Sequence, residues 1–147
     1  MRWGAEVQRS IRSSRNTLAV VWFGGAFLSF ITLYLITTLG DSTRASIFWE
    51  WYLPAVTPNL SLIVGVMFND IKYQPTKSER VDVFSYRVAL WLSVVYLLML
   101  LTTLLMLPFS DAPLDTYLKN SRFALALIQA LATTALGAFY VRHRDKA

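Results

Sequence analysis

The chain has 147 residues, of which 55% are hydrophobic and only 16% charged; a soluble domain carries about 25% charged residues, so much of this surface faces something other than water. It contains no cysteine and one histidine, His143, which excludes disulfides, thiolate metal sites, thiol redox chemistry and a haem held by two histidines of the chain. The formal net charge of +5 comes from basic residues scattered over short segments without a binding motif, which argues against a nucleic-acid partner.

Four apolar stretches account for most of the length. No charged residue occurs between Arg15 and Asp41, between Glu50 and Asp70, between Arg87 and Asp111, or between Arg122 and Arg142. A bilayer core needs roughly 20 apolar residues in helical form, and each stretch reaches or closely approaches that length. The expected fold is all-α: an integral membrane antiparallel bundle of four transmembrane helices, preceded by a short N-terminal interfacial helix. The helices are expected at about 17–39, 53–71, 79–108 and 114–141, in one domain. The first apolar run is longer than the core of a secretory signal. The segment after it, Gly40 to Ala45, lacks a convincing small-x-small cleavage site, so that helix is expected to be retained.

Lys and Arg in short flanking segments set orientation. The N-terminal tail, the 70–87 loop and the C-terminal tail hold 11 of them, against 3 in the two remaining loops, Arg44, Lys119 and Arg122. Both termini and the 70–87 loop are therefore expected in the cytoplasm, in a plasma membrane or, for a bacterium, the inner membrane. The same bias argues against insertion in two opposite orientations.

In chain order, Trp3, Val7 and Ile11 recur every four positions with Arg2, Arg9, Arg12 and Arg15 around them, the pattern of a basic helix lying in the headgroup layer. The first membrane helix carries Gly25 and Ser29, a small-xxx-small pair that lets a neighbouring helix approach closely. Phe48, Trp49, Trp51 and Tyr52 read as an aromatic belt at the outer boundary. In the second helix Pro54 is expected in the first turn, where its missing N–H costs little. Pro58 removes a hydrogen bond and presses on the carbonyl of Pro54, so a kink or partial unwinding is expected there. Ser61 and Gly65 form a second small pair in that helix.

Thr76 to Glu79 matches a capping box opening the third helix. That helix is rich in leucine and is expected to be the most lipid-exposed of the four. Pro113 is placed to open the fourth, in which Ala126, Ala130, Thr134 and Ala138 repeat every four residues as the chain's best packing face.

Chemistry-bearing residues are few. Gln129 is expected near mid-membrane, as an interhelical hydrogen-bonding group or a pore-lining one. Asn59 lies beside the proline pair, where transporters place interrupted helices and binding sites, although no second, corresponding break occurs here. Glu50, between two tryptophans, and Asp70, after Asn69, are candidates for charged rings at the outer and inner mouths of an oligomeric pore. Lys72, Lys77 and Arg80 are candidates for docking a cytoplasmic partner.

The charge-free spans hold no ionisable residue of the kind that marks proton relays and intramembrane active sites. No catalytic arrangement or metal-ligand spacing is present, so the chain is expected to be non-enzymatic and to need no cofactor. The leading expectation is a membrane subunit or anchor for a cytoplasmic partner. Its expected contacts are the lipid bilayer and either further copies of itself or another membrane or cytoplasmic protein. A homo-oligomeric ion channel or membrane-permeabilising effector is the alternative, and a small transporter the third.

Overall fold

The computed structural model describes residues 11–40, 44–72, 83–111 and 113–141, with side chains placed for 13–40, 44–68, 83–111 and 113–140. They form four long helices: α1 (Ile11–Leu39), α2 (Ala45–Lys72), α3 (Val83–Met106) and α4 (Leu114–Val141). A 3₁₀ turn, Leu107–Phe109, follows α3. Each long helix is long and apolar enough to cross a membrane. The regular structure of the described residues is all helical, and the chain has the features of a multi-pass membrane protein.

The helices differ from expectation mainly at their starts. Ile11 to Arg15 already belong to α1; Trp3 and Val7 of the expected interfacial segment lie outside the described residues, as does the capping box. The larger difference is in α2, which begins eight residues early, at Ala45, and runs unbroken through both Pro54 and Pro58. The aromatic cluster thus sits in its first two turns, where Phe48, Trp51 and Tyr52 are buried rather than held in an interfacial loop.

α1 packs on α2 and α3, and α4 packs on α2 and α3; among the described residues no backbone contact joins α1 to α4 or α2 to α3. Around the bundle the order is therefore α1, α2, α4, α3. Trp22, Leu33, Ile63, Tyr96, Leu100 and Leu136 fill the centre and are fully buried.

The α1–α3 contact depends on glycine. A Cβ on Gly25 would lie 2.6 Å from Leu97 Cδ1 and 3.1 Å from its Cγ, so only a hydrogen at this position leaves Leu97 its place. Ser29, one turn on, meets α2 instead, through Tyr52. The Gly25/Ser29 pair is thus divided between two neighbours.

α3 is not the most lipid-exposed helix. Tyr86, Ala89, Ser93, Tyr96, Leu97, Leu100 and Leu104 form one buried stripe along it. The spacing of three and four residues marks a single helical face. The many leucines on the other faces hide that stripe in the sequence.

The small residues of α2 and α4 lie away from the chain's own helix contacts. Ser61 and Gly65 are exposed, and so are Ala126, Ala130, Thr134 and Ala138. A Cβ added to Gly65 or to Gly137 would meet nothing within 4 Å. The face of α4 that packs within the chain is the neighbouring one, with Leu118, Leu125, Ala132, Leu136 and Phe139.

Candidate functional site

Two prolines four residues apart put both rings on one side of α2, because positions i and i+4 stack along a helix. Each proline lacks an N–H and so strands the carbonyl four residues before it. For Pro54 that carbonyl belongs to Glu50; for Pro58 it belongs to Pro54 itself. In hydrocarbon an unsatisfied backbone group costs several kcal/mol, so a donor must come from elsewhere.

α4 supplies both donors. Arg122 Nη2 donates to the Glu50 carbonyl at 3.4 Å. Two helical turns further along, Gln129 Nε2 donates to the Pro54 carbonyl at 3.4 Å and to the Ala55 carbonyl at 3.2 Å. The expected unwinding is avoided because these side chains stand in for the missing N–H groups.

The Ala55 carbonyl is the meeting point of three helices. Besides Gln129 it accepts from the Tyr96 hydroxyl of α3 at 2.6 Å. Tyr96 thereby spans the diagonal that the backbones of α2 and α3 leave open. Its ring also lies 5.7 Å from that of Trp22 of α1. Trp22 in turn donates from Nε1 to Ser93 Oγ at 2.9 Å, and Ser93 donates to the Ala89 carbonyl at 2.6 Å.

One turn below Ala55, Asn59 is fully buried. Thr133 Oγ1 donates to its Oδ1 at 2.6 Å, while its Nδ2 is buried without a hydrogen-bond partner. Toward the Leu39 end of α1, the Tyr52 hydroxyl donates to the Ala26 carbonyl at 2.8 Å and lies 2.9 Å from Ser29 Oγ. There too Tyr117 of α4 donates to the Thr103 carbonyl of α3 at 3.0 Å. At the opposite end the Arg15 guanidinium lies 5.5 Å from the centre of the Tyr140 ring.

Of the sequence candidates, Gln129 and Asn59 are brought together on the α2–α4 contact. The Glu50 side chain is exposed, and only its backbone carbonyl joins this set. The side chains of Asp70 and Lys72, together with all of Lys77 and Arg80, lie outside the described residues. Sequence reasoning missed Arg122, Tyr52 and Tyr96. The proline spacing was the available signal for Arg122, since it demands a donor for Glu50 as well as for Pro54.

Chemically the arrangement holds helices together. Among the described residues no group of three His, Asp or Glu side chains is placed to hold a metal ion. A cavity of about 260 Å³ lies beside the prolines, bordered by Trp51, Pro54, Arg122, Ala126 and Gln129. No family model, curated protein or solved structure matches the chain.

Proposed function

We propose that the chain is a non-enzymatic membrane subunit or anchor: a single-domain, antiparallel four-helix bundle that self-associates and recruits a cytoplasmic partner. The order of paired residues supports the antiparallel arrangement. Ser29 meets Tyr52 and Phe30 meets Trp49, so numbering falls along α2 as it rises along α1. The same inversion relates Thr103 to Tyr117 and Tyr86 to Phe139. Glu50–Arg122 and Asn59–Thr133 rise together, as two helices crossing in the same direction require. The distribution of Lys and Arg supports placing both termini and the 70–87 loop in the cytoplasm.

One observation carries the functional reading. The polar side chains at mid-span are engaged between helices of the same chain, whereas the small residues of α2 and α4 face outward. Small faces are what drive association in lipid, where apolar surface alone gives no preference. Gln129 and Asn59 are turned toward neighbouring helices, which favours the subunit reading over an oligomeric channel lined by them.

Purified protein in liposomes tests this. Tight vesicles, with capture of a cytoplasmic partner abolished by reversing Lys72, Lys77 and Arg80, support the anchor. Ion leakage that grows with oligomer formation and is altered by Glu50→Gln would replace it with the channel.

A further inference from the structure

Among the described residues a cavity lies at the opposite end of α1 from Arg15. α1, α2, α4 and the 3₁₀ turn after α3 contribute to it, and its volume is about 510 Å³. It forms where α1 ends at Leu39 and α3 tightens into the Leu107–Phe109 turn, so that the helix ends no longer close on one another. Leu35, Ile36, Phe48, Leu107, Leu114 and Tyr117 provide most of the wall. Among the described residues Arg44 is the charged residue that lines it, and its side chain is exposed.

Three features define what fits. The wall is apolar and concave, and the volume falls within the range of small-molecule sites, about 300–1,000 Å³. The wall residues from α1 and the 3₁₀ turn are the last uncharged ones before Asp41 and Asp111, which places the opening at the boundary between hydrocarbon and headgroups. A guanidinium there offers several donors in a fork suited to carboxylate or phosphate.

We propose that this cavity binds the hydrocarbon chain of an anionic amphiphile, with the head held at Arg44. A free long-chain carboxylate and the acyl chain of an anionic phospholipid share this chemistry. The proposal rests on the helices spanning a bilayer and is independent of the anchor role.

The full chain in phosphatidylcholine nanodiscs, labelled with a long-chain fatty acid bearing a photoactivatable diazirine, provides the test. Cross-links should concentrate within residues 35–48 and 107–117 and be displaced by excess unlabelled oleate or phosphatidylglycerol. The more effective competitor identifies the source of the chain. Arg44→Gln should weaken labelling roughly tenfold, about 1.4 kcal/mol, with Arg44→Lys in between. Leu114→Trp and Ser110→Trp, which fill the cavity from two sides, should each abolish it while helicity and flotation with liposomes persist. Ser110, whose backbone is extended, carries the second filling variant if Leu114→Trp does not fold. Cross-links spread over all exposed helix faces, undisplaced by either competitor or indifferent to a folded filling variant, would overturn the proposal. Loss of flotation by the unsubstituted chain would instead refute the membrane-spanning reading.

Discussion

Gln129 donates to the carbonyl of Pro54, the group that Pro58 leaves without a helical partner. One side chain of α4 thereby repairs the backbone of α2, and the repair explains why α2 stays continuous through two prolines. Gln129→Leu should destabilise the bundle by about 1–2 kcal/mol, the upper range for a hydrogen bond between membrane helices. In a Pro58→Ala background the restored N–H serves the Pro54 carbonyl directly. The cost of Gln129→Leu should then fall by about half or more, read as a coupling energy in a double-mutant cycle. Equal costs in both backgrounds would show that Gln129 does not compensate for the proline.

The α1–α3 contact makes a second prediction. Gly25→Ala places its Cβ against Leu97, and overpacking of this kind costs about 1–3 kcal/mol. Adding Leu97→Ala should restore part of that loss, because the clash is with the far end of one side chain. The check is reversible unfolding in mixed micelles. Gly24→Ala is the control, since a Cβ at Gly24 meets nothing within 4 Å, and it should be near neutral.

Asn59 and Thr133 make a third. Removing the Thr133 hydroxyl alone leaves both polar atoms of a fully buried amide without partners. Thr133→Val should therefore cost about 1–2 kcal/mol, while replacing both partners by apolar groups of similar shape is close to neutral. The Asn59→Leu/Thr133→Val pair should be more stable than Thr133→Val alone. The opposite order in the same unfolding measurement would mean that the amide has a satisfying environment of another kind.

The four spans were legible because charge is costly in hydrocarbon, so the gaps between Arg15 and Asp41, or Arg87 and Asp111, announce helices directly. Which face of each helix points inward was far less legible. In water a leucine on the outside is penalised; in lipid it is not, and hydrophobic periodicity loses its meaning. The Tyr96 stripe of α3 was therefore concealed among leucines, and the sequence could not tell whether the α4 packing face meets its own chain or another; it faces out. The proline pair misled for a different reason. Local chemistry predicts a break at Pro58, but the donors that prevent it lie on α4, more than 70 positions from the carbonyls they serve. Gln129 and Asn59 were identifiable as rare polar residues inside charge-free spans. The other side chains that bind the α2 carbonyls were not, because Arg122 reads as a loop charge and the Tyr96 hydroxyl gives no sequence signal of direction.

The outward small residues should govern association without supporting the fold. Ala130→Trp and Gly65→Trp change positions that are exposed, so monomer stability should change by no more than about 0.5 kcal/mol. Helicity and thermal unfolding at high detergent dilution measure this. A large loss of stability would show that these positions are buried within the chain.

The most direct measurement is a count of subunits by single-molecule photobleaching in liposomes, over a range of protein-to-lipid ratios. The subunit reading predicts a defined oligomer that persists on dilution and reverts to monomer in Ala130→Trp. A monomer at every ratio, or an oligomer indifferent to both Ala130→Trp and Gly65→Trp, would contradict association through the α2 and α4 faces.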